Sequence, residues 1–440
     1  MTKKRRTRIS IQKLFCFISF IFLLVCVLWY GSRTVYFYLD SKKKPEDTNN
    51  DNSLYQTILK NNIKNKDLKR INKDYYFYKN ANNNYLEYSN ITWRIIKITD
   101  DKKVLLITEE PITLLAYGTN NYPTKWMNKI KEEKNTGILE NNITNIDDYL
   151  TQTKSCEDNI KDIKNITCKK ENDDNYFSLL DINDYINTGA KDSFINNGYY
   201  IYLNNKKDDE IWYLNSKGEL DSNDGTEIYG IKPTITIKED INLVKGTGTK
   251  EDPFIIEEEN QLFASYVKLD EDIYRVYDIN KDTLKLSLND YLKEKSEKLE
   301  YSYSKNTYFH NDTVYNSLAY YLNHTYLNNL NYKNNILTNY YNNYYYGESN
   351  NYNYKDILDK KVDTKVYTLS IGDPILNNLN NYFLATGTNE NNGLIYIKEN
   401  DGTITIESVE TKKNIVPTIS INKEKLTKGT GSISDPYRME

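Results

Sequence analysis

The chain has 440 residues, with 58 basic against 62 acidic side chains and a net charge of −4. That balance excludes the basic footprint of a nucleic-acid binder, and the length predicts two or three domains at about 100–200 residues each. With 42 tyrosines within a hydrophobic content of 38%, tyrosine must do much of the packing while keeping its hydroxyl near water or a partner. Asn, Lys and Ile also abound, a vocabulary of AT-rich codons.

The first thirteen residues carry Lys3, Lys4, Arg5, Arg6, Arg8 and Lys13, and an uncharged apolar run follows from Leu14 to Tyr30. A run of about 17 residues is just enough to span a bilayer core, and Trp29 and Tyr30 fall where an interfacial aromatic belt belongs. Residues 14–32 therefore predict a transmembrane anchor, with 1–13 in the cytoplasm and the remainder outside. A cleaved signal peptide is the rival reading, but no small-residue cleavage site closes the run. A lipoprotein reading of Cys26 would need a small residue in place of Val25. The expected location is the cell membrane, single-pass, with extracellular C-terminal domains.

Residues 33–69 read as a polar stalk ending in a helix over about 53–69. Ser53-Leu54-Tyr55-Gln56 has capping-box form, and Leu54, Ile58, Leu59 and Ile63 follow at helical spacings.

From there the chain reads as two copies of one domain, 70–257 and 258–440. In the first copy Gly230 to Ile256 reads GIKPTITIKEDINLVKGTGTKEDPFII, and the C-terminus from Asn414 reads NIVPTISINKEKLTKGTGSISDPYRME. Pro417 lies 184 positions after Pro233, while Gly429 and Pro436 lie 183 after Gly246 and Pro253. Tyr85, Arg94 and Leu105 pair in the same way with Tyr266, Arg275 and Leu286, each 181 later. The alternation in Thr234-Ile235-Thr236-Ile237 and Thr418-Ile419-Ser420-Ile421 predicts a half-buried strand with the isoleucines on one face. The following Gly-Thr-Gly and Asp-Pro predict a tight turn. They do not predict a phosphate cradle, because neither a P-loop Lys-Ser/Thr nor a G-x-G-x-x-G spacing follows.

Each copy opens with β-rich runs, 84–98 and 103–108 in the first and 266–279 and 284–287 in the second. Trp93 beside Arg94 predicts one side chain in the core and the other in solvent. Helices are expected from Tyr122 to about Lys134, and from Asn311 or Asp312 to Leu330. Further strands follow at 177–182, 199–203 and 211–214, and at 366–371, 382–384 and 394–397, with turns at Lys217-Gly218 and Asp401-Gly402. The order of strands, helices, then strands predicts an α+β fold.

The order NNYLEY…ITWRII, a helical middle, WY…G, GIKP and GTGT-x-x-DPF resembles a repeat domain in surface proteins of low-GC bacteria, over about residues 76–257. Its late W-x…G…G-[IV]-[RK]-P pattern is similar to the closing strands of C-type-lectin-like folds, including the formylglycine-generating-enzyme group. The second copy departs from it: Asn414-Ile415-Val416-Pro417 replaces Gly230-Ile231-Lys232-Pro233, and Tyr274 replaces Trp93. The calcium and sugar motifs E-P-N, Q-P-D and W-N-D are missing, and the second copy holds no cysteine. The resemblance thus implies a possible C-type-lectin-like domain and no calcium or cysteine chemistry.

Chemically reactive residues are few. Cys156 and Cys168, 12 positions apart, predict a disulfide. His310 and His324 have no zinc-protease context and are expected at solvated or capping positions, and Asp221 to Gly225 is expected to be a turn. No metal or cofactor is predicted, and no carboxylate pair can be singled out for acid–base work. Tyr340, Tyr341, Tyr344, Tyr345, Tyr346, Tyr352 and Tyr354 cluster in the middle of the second copy and are the predicted ligand contacts, since tyrosine gives rigid contact area at low entropic cost. The function expected is ligand binding or adhesion at the surface, without enzymatic activity. The alternative is an extracytoplasmic enzyme or assembly factor acting on envelope polysaccharide or protein.

Overall fold

A computed structural model describes residues 52–439, save 64–66, 119, 120, 132, 134, 135, 165, 258, 295, 296, 303–316, 343, 344, 347–360 and 389–393. The anchor expected at 14–32 lies outside the described residues, as does His310. Among the described residues no helix is long and apolar enough to cross a membrane. Residues Asn52–Glu440 form one compact unit.

The fold is mostly β with a few short helices, so the helical middles expected of an α+β domain are corrected. The helix expected over 53–69 spans only Leu54–Asn62, and Ser53 makes no capping side-chain bond. The chain turns instead into a hairpin of Leu68–Ile71 with Asp74–Phe77. The helix expected from Tyr122 to Lys134 stops at Met127. Its counterpart begins at Leu318 behind the cap Ser317, whose side chain accepts from the Tyr320 N–H, and a π-helical turn Tyr321–Tyr326 follows. Of the strand expected at 177–182, Ser178 keeps only a bridge to Thr234, and Ile182–Asn187 is helical.

Both copies contain the same two sheets. In the first, Tyr85–Tyr88, Ile91–Ile98, Val104–Thr108 and Thr234–Ile237 pair antiparallel in that order, and Phe254–Ile255 closes the edge parallel to Tyr85–Tyr88. In the second, Tyr266–Leu269, Asp272–Asn280, Thr283–Leu288 and Pro417–Asn422 repeat the order, closed by Tyr437–Met439. The companion sheet runs Leu220–Asn223, Glu210–Leu214, Ile201–Lys207, Ile228–Ile231, Thr113–Ala116 in the first copy. In the second it runs Ile404–Ser408, Leu394–Lys398, Tyr382–Thr388, Lys412–Asn414, Glu300–Ser302.

The register corrects one equivalence. Val276 and Ile419 flank Leu286, whereas their counterparts Ile95 and Ile235 flank Leu106 rather than Leu105. The hairpin of the second copy is one residue shorter, and because side chains alternate with period two, a one-residue slip exchanges the faces. Both long strands keep a register shift at the same place, after Ile95 and after Val276.

The central strands are buried on both faces. Ile235 and Ile237 are fully covered, but so are Thr234 and Thr236, and Thr418 and Ser420 repeat this. The half-buried alternation is therefore corrected. Trp93 enters the core as expected, but Arg94 does not reach solvent: it is 5% exposed. Its guanidinium lies 3.9 Å from the centre of the Tyr85 ring and pairs with Glu109 at 3.0 Å. Arg275 repeats the stacking on Tyr266 at 4.9 Å.

The Gly-Thr-Gly segments are tight turns, as expected. Gly246 and Gly429 have φ of +100° and +95°, and a Cβ there would lie 1.9 and 2.2 Å from the carbonyl oxygens of Pro253 and Pro436. The two copies are joined by backbone and side-chain bonds: Trp126 Nε1 donates to the Gly372 carbonyl at 2.7 Å, Ile375 N–H to Ile112, and Tyr200 N–H to Asp401.

Candidate functional site

The sequence insertion that carries Cys156 and Cys168 folds back as a short hairpin, Ser155–Cys156 against Glu171–Asn172, and the two cysteines are joined by a disulfide. The hairpin is fastened at Cys156. Its N–H donates to both carboxylate oxygens of Asp181 at 3.0 and 3.2 Å, and its carbonyl accepts from Asn204 Nδ2 at 2.9 Å and Asn205 Nδ2 at 3.1 Å. Burial, and then the charge of Asp184, pushes Asp181 up to about 7 against these hydrogen bonds. Asp158 stands beside both sulfurs, but thiols committed to a disulfide offer no thiolate to a metal.

Docked in this way, the hairpin forms one wall of a cleft of about 310 Å³. Ser155, Glu157 and Asn172 come from the hairpin, and Asn175, Phe177 and Ser178 from the segment after it. Tyr117, Asn121 and Thr124 come from the turn into the helix at Tyr122, and Asn204 and Lys206 from the strand Ile201–Lys207. The lining is dominated by carboxamides and hydroxyls, with two aromatic rings and one charge of each sign. Glu157 is held below its usual range by Lys170, then by Asn172 Nδ2 at 2.7 Å. The Asn175 carboxamide, the Lys206 ammonium and the hydroxyls of Ser155 and Thr124 make no hydrogen bond among the described residues.

An aromatic path leads away from the cleft. The Tyr117 ring lies 5.7 Å from Tyr202, which lies 5.0 Å from Tyr229, and Tyr229 lies 5.0 and 5.2 Å from Tyr213 and Tyr200. Tyr117 and Tyr202 are buried, while Tyr200, Tyr213 and Tyr229 are half-exposed.

Of the seven predicted tyrosine contacts, the side chains of Tyr340 and Tyr341 are described. Tyr340 is 63% exposed, but Tyr341 is 2% exposed. It stacks on Tyr367 at 4.6 Å and bonds Ser420 through its hydroxyl at 2.9 Å. Tyr341 is thus corrected from ligand contact to core residue, because the strand Asn339–Asn342 places alternate side chains on opposite faces. Tyr345 and Tyr346 form a short strand parallel to Tyr382–Thr388. Tyr344, Tyr352 and Tyr354 lie outside the described residues. His324 is exposed and stacks on Tyr320 at 4.3 Å.

The cleft escaped the sequence reading because its walls come from segments spread between Tyr117 and Lys206. The available signal was the density of Asn, Ser and Thr around the two cysteines. Comparison with protein families, with curated proteins and with solved structures finds no match for this chain.

Proposed function

We propose that the chain is a membrane-anchored extracytoplasmic surface protein that binds a neutral, polyhydroxylated ligand, a glycan, in the cleft beside the disulfide hairpin. The observation that carries this reading is the lining itself. Four asparagines, three hydroxyl side chains and two aromatic rings surround one cleft, and the Asn175 carboxamide with the Ser155 and Thr124 hydroxyls matches the donors and acceptors of a sugar. The disulfide supports an oxidising, extracytoplasmic compartment, and the N-terminal apolar run supplies the anchor. Pairing of Tyr85–Tyr88 with Phe254–Ile255, and of Tyr266–Leu269 with Tyr437–Met439, brings the start and end of each repeat together and supports the C-type-lectin-like reading of the repeat.

The competing reading, a polysaccharide-cleaving enzyme, is disfavoured by the same lining. Glycoside hydrolysis ordinarily uses two carboxyl groups across the scissile bond, and Glu157, the one carboxylate in the cleft, is tied to Lys170.

A glycan array probed with the detergent-solubilised full chain tests the proposal. Binding to uncharged oligosaccharides is expected, weakened about threefold to tenfold by Asn175→Ala, the usual worth of one neutral hydrogen bond. Absence of glycan binding, or turnover of a bound polysaccharide, overturns it.

A further inference from the structure

Lys232 poses a physical problem that the binding function does not solve. The side chain is 2% exposed, and a buried ammonium is tolerated only when it is paired and hydrogen-bonded. Here its contacts are two neutral oxygens, the Ile195 carbonyl at 3.4 Å and Asn197 Oδ1 at 3.5 Å. Among the described residues no carboxylate lies within ion-pair distance of it. Glu109, the nearest in effect, is engaged by Arg94 at 3.0 Å.

The surroundings of Asn197 are arranged around the same amine. Its Nδ2 donates to the Glu109 carbonyl, which turns the carboxamide oxygen toward Lys232. The amide carbon stands one bond, about 1.2 Å, behind that oxygen, so the amine nitrogen faces the carboxamide and must close in from beyond the 3.5 Å contact to attack. Glu110, next in the chain, has one carboxyl oxygen buried without a partner.

We propose that Lys232 and Asn197 become joined after folding by an intramolecular amide bond, with Glu110 carrying the proton. The neutral amine attacks Cγ of Asn197, the Nζ–Cγ bond forms, the Cγ–Nδ2 bond breaks, and ammonia leaves. One amine proton passes to the departing nitrogen through the Glu110 carboxyl, which accepts one and returns one. Amine and carboxamide become amide and ammonia, so no oxidant or co-reactant is needed. Burial favours both starting forms: it holds Lys232 down to about 8, and it raises Glu110, against opposing contributions from Tyr199 and Lys232. The bond would close a loop around the strands Ile201–Lys207, Glu210–Leu214 and Leu220–Asn223, and so strap the sheet that bears Tyr202 and Tyr213.

Intact-mass spectrometry of the reduced, denatured full chain tests this directly. The expected mass lies below the sequence value by one ammonia, and a proteolytic digest should yield a branched peptide joining Lys232 to Asn197. Lys232→Arg, which keeps the charge but lacks the nucleophile, should show the full mass, as should Glu110→Gln. An unmodified mass for the wild-type chain overturns the proposal whatever the variants do, and loss of ammonia from Glu110→Gln overturns the role given to Glu110.

Discussion

Asn128 and Asn323 make the same set of hydrogen bonds in the two copies. Asn128 donates to the Phe177 carbonyl at 2.8 Å and accepts from the Phe177 N–H at 3.0 Å; Asn323 does the same with Val366 at 2.9 and 3.0 Å. Each also donates to the carbonyl four residues earlier in its helix, Thr124 or Ala319, at 3.1 Å. Each carboxamide thus pins a helix to a segment that has no strand on that side to pair with. Replacing either by Ala leaves buried backbone groups unpaired, at about 1–3 kcal/mol. Urea unfolding should show a loss of this size for Asn128→Ala and for Asn323→Ala alike.

The glycines of the Gly-Thr-Gly turns give a graded test. Gly198 also has a positive φ, +91°, but no atom lies within 4 Å of where its Cβ would sit. Gly198→Ala should therefore cost only the backbone term, about 1–2 kcal/mol. Gly246→Ala and Gly429→Ala add a clash with a backbone carbonyl, so both should unfold at distinctly lower denaturant than Gly198→Ala. Equal midpoints for the three would contradict the turn geometry.

Tyr340 and Tyr341 are neighbours with opposite duties. Tyr341→Ser removes a buried ring and its bond to Ser420, and a loss of about 3–5 kcal/mol is expected by analogy with other buried aromatics. Tyr340→Ser, on an exposed side chain, should change stability by no more than about 0.5 kcal/mol. Thermal denaturation of the two variants distinguishes them.

The duplication was legible because turns are written in single residues: Gly246, Gly248 and Pro253, with Gly429, Gly431 and Pro436, set the same chain reversal twice. Strand order followed from the apolar runs beside them. Burial was less legible, since alternation in Thr234 to Ile237 shows which residues could face solvent but not that other chain covers that face. Arg94 was misplaced for the same reason. Its charge suggests solvent, and only the fold brings Glu109 and the Tyr85 ring to it. Asn128 and Asn323 could not be matched, because insertions before each helix break the constant offset. The cleft depends on four separated segments meeting, which no local pattern records.

Three half-buried carboxyls should make stability fall as pH rises. Asp181, Asp373 and Glu257 are each pushed up to about 7, mainly by burial. Between the unfolded-state values near 4 and these folded values, the folded chain binds more protons than the unfolded chain, so stability declines across that interval. The stabilising protonation is complete below about 4 and lost as pH passes about 7. The thermal midpoint should be higher at pH 5 than at pH 8. Asp373→Asn, neutral throughout and still able to accept from the Ser370 N–H, should flatten the slope.

The disulfide should matter more to the cleft than to the core. Cys156 is held from the protein side by Asp181, Asn204 and Asn205, whereas Cys168 is exposed. A bridge closing a short loop contributes up to about 3 kcal/mol on the chain-entropy model. In this chain the residues it ties are largely exposed, Ile163 among them at 40%. Opening the bridge therefore frees the Cys168 arm of the hairpin while leaving Cys156 fastened and the sheets packed, a local rather than global loss. In the Cys156→Ser, Cys168→Ser double variant, trypsin should cut sooner at Lys161, Lys164, Lys169 or Lys170. The variant should also lose glycan affinity, because Asn172, on the Cys168 arm, is no longer held in the cleft wall, while the thermal midpoint moves little. Wild-type affinity together with faster proteolysis would place the binding site elsewhere on the molecule.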